Sequence, residues 1–321
     1  MINTNILNGK RILITGGTGT FGKAFAKHLL KNYDIAMIYI YSRDEFKQDL
    51  MREELGNHSK VSFLIGDVKD SLRLKRAFNN IDFVIHAAAQ KQVPSCEDNP
   101  FEAIQTNILG AMNVANAAID CKVKKVVALS TDKAVNPINL YGGTKMCLEK
   151  IFINGNCYST KYTTMSCVRY GNVLSSRGSV IPKFKQQIID KNIVNVTDKD
   201  MTRFFMKIEQ AIEIVIHALI NMKGSEIFIP KIKSIKILDL VEAINGNARI
   251  KFTGIRQGEK LNEILISEDE SIRTEEFENY FVVYKNKESV KNIKEHSILN
   301  YTSDNEDLFY TVDEMRNIIN D

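Results

Sequence analysis

An apolar run, Arg11–Thr15, passes directly into Gly16-Gly17-Thr18-Gly19-Thr20-Phe21-Gly22 and on into the amphipathic stretch Gly22–Lys31. Glycines at 16, 19 and 22 let the chain turn sharply and bring its backbone close to a pyrophosphate. The helix that follows offers its free amides and dipole to the phosphates. A glycine-rich turn alone can be a tight turn with no ligand. Its setting between a strand and a helix, at the head of an alternating pattern, is what constrains the fold. Further apolar runs at Ile35–Tyr41, Val61–Gly66, Phe83–Ala87, Lys125–Ser130 and Thr163–Arg169 alternate with helical patterns at Glu45–Leu55, Ser71–Phe78, Pro100–Asp120 and Tyr141–Tyr158. This alternation predicts an α/β fold, a Rossmann-type doubly wound parallel sheet. Runs apolar throughout predict helices on both faces.

After Arg169 the rhythm changes. Tyr170–Ser179 reads as a loop rich in Gly, Ser and Asn, followed by helical stretches at Lys183–Asp190, Ile208–Asn221 and Ile237–Ala243 and a short strand at Glu226–Ile229. The division expected is a dinucleotide-binding domain over residues 1–170 and, over 171–321, mainly a smaller substrate-binding lobe whose strands can cross back into the main sheet. The last forty residues, around Tyr284–His296, read as solvent-exposed and partly irregular.

Composition excludes several function classes. The net charge of +4 is spread along the chain without a basic run, which argues against a nucleic-acid reader and suits a small anionic substrate. The five cysteines form no CxxC pair and no zinc spacing, so no metal is expected and scattered thiols fit a reducing, cytoplasmic setting. No apolar run approaches a membrane span, and Met1–Lys10 lacks the apolar core of a signal peptide.

The end of the second strand discriminates between dinucleotides, because an acid there holds a free ribose 2′-hydroxyl while Arg accommodates a 2′-phosphate. Here the chain reads Ser42-Arg43-Asp44 with Lys47 one turn on, a clamp that points to NADP. Asp44 complicates this unless it caps the following helix. Asp67 and Val68 close the third strand near the expected adenine. Ala87, Ala88 and Ala89 close the fourth with side chains small enough for a cofactor to lie against the backbone.

Tyr141 and Lys145 are four residues apart, on one helix face, where a nearby ammonium is expected to lower the tyrosine pKa. Such a tyrosine takes a proton from a sugar hydroxyl as hydride departs. Thr131 supplies the hydrogen-bonding hydroxyl a simple oxidoreductase needs. The adjoining Asp132-Lys133 is surplus to that chemistry and suits elimination of water, one group taking a proton beside a ketone and the other protonating the leaving hydroxyl. The pair can equally be a surface ion pair at a turn. Lys133 is read as facing the cleft, at no cost to the core.

Together Thr15–Gly22, Ser42–Lys47, Gly66–Val68, His86–Pro94, Ser130–Lys145, Arg169–Ser179, Met201–Phe204 and Gly254–Lys260 resemble the UDP-N-acetylglucosamine 4,6-dehydratases, extended short-chain dehydrogenases, and most of all their soluble inverting type, which also epimerises C5. The resemblance implies bound NADP, with Gly16, Thr18, Gly19, Thr20, Phe21, Gly22 and Val173 also contacting it. It implies Tyr141 at C4, Lys145 on the nicotinamide ribose, Lys133 as base at C5 and Asp132 as acid for the C6 hydroxyl. Lys91, Asn172, Arg177, Arg203, Arg256 and Glu259 would line the nucleotide sugar, although any of these arginines can instead serve a structural ion pair. A homo-oligomer, dimer or hexamer, is also implied. The chain departs from close relatives at Gln92, where His is frequent, and at Gln257, where Pro is common. It keeps Tyr141 where a sister branch often has Met. A nucleotide-sugar C4-epimerase would share the Tyr-Lys pair but not need Asp132-Lys133. A non-catalytic NADP-sensing module would need neither.

Overall fold

The computed structural model describes residues 4–159, 162–174, 178–290 and 300–320. Strands β1 (Arg11–Thr15), β2 (Met37–Ser42), β3 (Val61–Ile65), β4 (Phe83–His86), β5 (Lys125–Leu129) and β6 (Thr164–Val168) pair in parallel in the order β3-β2-β1-β4-β5-β6. Every inner strand buries its run: Ile12, Leu13, Ile14, Val84, Ile85, Val126 and Val127 are wholly inaccessible. Both faces are covered by helices, as runs apolar throughout require.

Three strands from the second half extend the same sheet. Glu226–Pro230 adds in parallel beside β6, Tyr280–Tyr284 turns antiparallel to it, and Thr274–Glu276 forms the edge. Phe281, Val282 and Val283 are buried there, so the expectation that the last forty residues are exposed and irregular fails at Val282 and Val283. It fails again at Tyr301, Ser303 and Met315, all buried, and at the helix Val312–Asn320. The part of Tyr284–His296 beyond residue 290 lies outside the described residues. The Lys- and Glu-rich composition misled because these elements are short and take their burial from neighbours distant in sequence.

The remaining pieces form a lobe around Phe184, Val194, Phe205, Leu240 and Met315. Thr202–Met206 runs between Ser234–Lys236 and Asn172–Val173, so part of the expected Tyr170–Ser179 loop is a strand. Ile264–Ile266 pairs with Tyr301–Thr302. The helical pattern expected over 100–120 is interrupted: Pro100–Ile104 and Gly110–Asp120 are α-helical, and Gln105–Leu109 between them is a π turn. Such turns insert a residue and frequently mark functional sites.

Candidate active site

The chain leaves β1 for β2 and β3 on one side and returns to β4 on the other. That reversal opens a crevice beyond the carboxyl ends of the strands, the usual place for a ligand in an open α/β sheet. A groove of about 1020 Å³ lies there. Its floor needs glycine. Gly16 has φ +66, and a Cβ on it would stand 2.7 Å from the Ala88 amide nitrogen. A Cβ on Gly22 would stand 2.5 Å from the Gly17 carbonyl. No side chain caps the helix Thr20–Asn32 at Gly19, so its first amides face the groove as an anion cradle. The Thr15 hydroxyl and His86 Nδ1, 2.8 Å apart, tie the ends of β1 and β4 together beneath it.

All the residues expected to hold a dinucleotide line this one groove. Gly16, Thr18, Gly19, Thr20, Phe21 and Gly22 form the floor, Ala87, Ala88 and Ala89 the wall, and Val173 with Tyr141 and Lys145 the inner end. Ser42, Arg43, Lys47, Asp67 and Val68 surround the outer end. There the Asp44 carboxylate accepts from the Lys47 amide at 3.0 Å, caps the helix Glu45–Glu54 and pairs with Lys47 Nζ at 2.7 Å, so it serves its own helix rather than a ribose. Arg43 stands free enough to turn: its side chain is 62% exposed and 3.5 Å from Asp67.

At the inner end Tyr141 and Lys145 leave the helix Leu140–Gly155 towards β5. Lys145 Nζ donates to the Leu129 carbonyl at 2.5 Å, and burial brings its pKa down to about 8. Burial pushes the Tyr141 hydroxyl up to about 12, against the opposing effects of the Lys133 charge and a hydrogen bond with Thr131. The expected lowering by Lys145 is therefore corrected. The cation that acts on Tyr141 is Lys133, and desolvation outweighs it.

Lys133 itself is held between two buried acids. Its Nζ lies 3.0 Å from Asp132 Oδ1 and 3.1 Å from Glu263 Oε1. Burial opposes its charge, the two carboxylates outweigh that, and its pKa lies above the ordinary lysine value. Lys133 and Thr131 line the groove. Asp132 is wholly buried behind them and accepts from the Thr131 hydroxyl at 2.9 Å. The reading of Asp132-Lys133 as a surface pair at a turn is excluded by this burial.

The residues expected to meet substrate divide. Lys91 and Asn172 line the groove. Arg203 is buried and directs its guanidinium to the carbonyls of Thr202, Lys260 and Leu261 at 2.6, 2.8 and 2.8 Å. Arg256 and Glu259 pair at 2.7 Å on the loop that Arg203 holds. That loop is fastened over the Thr131–Tyr141 segment by Lys260 Nζ on the Val135 carbonyl and by Asn139 on the Gly258 carbonyl. Arg177 lies outside the described residues. Two groups escaped the reading of the sequence. Glu263 had no signal, being a single acid before an apolar triplet. Asn107, on the π turn, bonds the Gln90 backbone on both sides and the Thr144 hydroxyl, linking the end of β4 to the tyrosine helix. The one available sign of it was a polar residue inside a buried helical pattern.

Residues 12–285 match the family described as polysaccharide biosynthesis protein. The chain is 47% identical over 330 residues to a UDP-N-acetylglucosamine 4,6-dehydratase (inverting) of Campylobacter jejuni, with 98% of each chain covered. It is 45% identical over 280 residues to a UDP-glucose 4-epimerase of Rickettsia bellii, covering 85% of this chain and 82% of that one. The X-ray structure of Pen from Bacillus thuringiensis superposes with a TM-score of 0.90 at 39% identity over 98% of both chains.

Proposed function

Because this chain belongs to the polysaccharide biosynthesis protein family, we propose that it is a UDP-N-acetylglucosamine 4,6-dehydratase that inverts C5. The observation that carries this reading is Lys133, set on the groove wall between two buried carboxylates and acting on Tyr141. Oxidation at C4 alone has no use for such an assembly, and loss of water across C5–C6 does.

The groove fits a nicotinamide dinucleotide, as the steric demand at Gly16 and Gly22 and the uncapped helix start attest. Such a cofactor supplies reversible hydride acceptance. Arg43 and Lys47 favour NADP, since the strand ends on Ser42 with no acid free for a ribose hydroxyl once Asp44 caps its helix. In this reading Tyr141 and Thr131 orient the C4 hydroxyl, and Tyr141 Oη receives its proton as the tyrosinate, the form that the Lys133 charge and a bound nicotinamide cation would favour. Lys145, dry and anchored on the Leu129 carbonyl, holds the nicotinamide ribose. The base at C5 is Lys133 Nζ in its neutral form. Asp132 supplies the proton with which the C6 hydroxyl departs as water, and being buried it reaches the groove through Thr131 and Lys133. Return of the hydride to C6 and addition of a proton to C5 from the opposite face together give the inverted 4-keto-6-deoxy sugar. Lys91 and Asn172 meet the nucleotide sugar directly. Arg203, Arg256 and Glu259 shape the loop above it, and Arg256 with Glu259 can turn to the nucleotide.

The partner we assign is a second copy of the chain. Phe101, Leu109 and Met112 stand exposed on the segment 100–120 that flanks the sheet, with Met146 on the next helix, and light scattering tests the pairing. No described helix is long and apolar enough to cross a membrane.

Mass spectrometry and NMR of the product from UDP-N-acetylglucosamine test the activity. A sugar that has lost one water and carries solvent deuterium at C5 is expected. An isomer of unchanged mass would favour a C4-epimerase, the activity of the Rickettsia relative's name. Nucleotide released from the purified protein is expected to be NADP, and NAD would overturn the clamp.

A further inference from the structure

Among the described residues, few buried side-chain atoms lack a hydrogen-bond partner, and two of them belong to carboxylates that hold the same lysine. Asp132 Oδ2 and Glu263 Oε2 are both sealed from solvent and unpaired, while the other oxygen of each carboxylate rests on Lys133 Nζ. A carboxylate left half unpaired in a dry site is costly, and such groups occur where they serve a purpose other than packing. Glu263 is held to the purpose by its backbone. Its amide donates to the Ser303 hydroxyl and its carbonyl accepts from the Ser303 amide, both at 2.9 Å, at the head of the strand Ile264–Ile266.

We infer that Glu263 is a positioning residue for the dehydration step: it clamps Lys133 Nζ at the groove wall and keeps one mobile proton on the Asp132–Lys133 pair. The inference rests on the reading of Lys133 as the base at C5. Elimination needs a neutral amine and a proton for the leaving hydroxyl at the same moment. Moving a proton from Lys133 Nζ to Asp132 meets both needs without exchange with solvent. Lys133 then takes the C5 proton, the proton on Asp132 leaves with the C6 hydroxyl, and the pair returns to ammonium and carboxylate. The cycle works only while the pair holds one proton between its two members. The negative charge of Glu263, 3.1 Å away, opposes escape of that proton at alkaline pH.

The other charges that face Lys133 do not provide this. Arg203 and Lys260 are cations and act in the opposite sense. Arg203 Nε stands 4.0 Å from Glu263 Oε1, and its Nη atoms donate to backbone carbonyls, with Nη2 also 3.7 Å from Glu259 Oε1. Tyr141 carries the proton taken from the C4 hydroxyl by the time elimination begins and is then neutral, as burial favours. Glu259 is turned to Arg256. Among the described residues, Glu263 alone adds negative charge at Lys133 from outside the Asp132–Lys133 dipeptide.

The test is the pH dependence of Glu263→Gln, which keeps the shape and removes the charge, in the holoenzyme with UDP-N-acetylglucosamine. The alkaline limb of kcat for dehydration is expected to move down by about one pH unit or more, the usual effect of removing a charge at this distance. Reduction of the bound cofactor by substrate, which reports the C4 step, is expected to shift by less, because Lys133 reaches Tyr141 only through its charge. NMR of isotope-labelled lysine gives a readout independent of turnover, and the Lys133 side chain is expected to lose its proton at lower pH in the variant. Should Glu263→Gln fail to fold, Glu263→Asp, with the charge retained but drawn back by one methylene, is expected to shift the limb in the same direction by less. An unmoved limb with a uniform drop in rate would make Glu263 a packing group and overturn the inference. If Lys133→Met dehydrates at a near-normal rate, the underlying assignment of the base fails instead.

Discussion

Two buried clusters in this chain have the same formula, one cation between two carboxylates, and opposite character. Arg169 lies between Glu149 and Glu270. It gives Glu149 two bonds at 2.9 and 2.7 Å, Glu270 two at 2.7 and 2.9 Å, and the Leu265 carbonyl another at 2.8 Å. Ser130 adds a donor to Glu149, and no oxygen is left over. Lys133 lies between Asp132 and Glu263 and leaves one oxygen of each unpaired. The difference follows from the cation. A planar guanidinium presents five donors in a fixed fork, matches two carboxylates at once and does not give up its proton. An ammonium is a compact charge with three donors and can give one up. The arginine cluster is built to stay as it is, and the lysine cluster is built around a movable proton. Of the two cations, only Lys133 lines the groove.

Exchanging the cation for methionine in each cluster should therefore break different things. Lys133→Met is expected to lower dehydration by ~10²–10⁴-fold, the range for loss of a general base, when product formation is followed under saturating substrate. Arg169→Met leaves Glu149 and Glu270 buried without their charge partner and is expected to cost about 3–5 kcal/mol of stability in urea unfolding. Its folded fraction should lose far less kcat than Lys133→Met. A stable Arg169→Met with abolished turnover would reverse the comparison.

The arginine cluster also has a pH signature. Burial pushes the Glu270 carboxyl up, the Arg169 charge and hydrogen bonds more than reverse this, and the folded pKa lies below the ordinary value of 4.5. A depressed carboxyl contributes stability in full above its unfolded pKa and loses it as pH falls through the folded one. The stability gap between the wild type and Arg169→Met should be widest near neutrality and narrow below pH 4.5. A gap independent of pH would mean that Arg169 acts through packing alone. The smallest effect is expected of Ser130→Ala, which removes one donor from Glu149 and leaves the arginine fork in place. About 1.5 kcal/mol is the scale for one hydrogen bond to a charged group, read from the urea midpoint.

These clusters also mark how far the sequence could be read. The parallel strands and the glycine turn were legible because long apolar runs and fixed spacings repeat a local rule. Asp132, Lys133, Tyr141 and Lys145 were legible because they follow β5 within a short stretch. Glu263, Glu149 and Glu270 were not, because nothing local distinguishes a buried acid that meets its cation across the fold from one that faces solvent. The same limit applies to Arg203. Its place among arginines of a recognisable motif suggested a substrate contact, and its donors are occupied by the backbone of the next loop. The cleft-facing reading of Lys133 held for one side of the lysine and overlooked the acids behind it.

Both clusters draw on one stretch, residues 259–270, and this has a consequence for the order of assembly. Arg169 reaches Glu270 across 101 positions of chain, and Lys260 reaches the Val135 carbonyl across 125. Closing loops of that size carries an entropic cost that local contacts do not, and a chain made from its amino end folds its early portion first. The strands β1 to β6 and the glycine turn can therefore assemble while the acid that completes the lysine site is still unmade. A nascent chain at that stage has its groove but also carries Arg169 and Lys133, two cations in apolar surroundings with half their counter-charge absent. The late-arriving segment ends that frustration and arms the catalyst in one event.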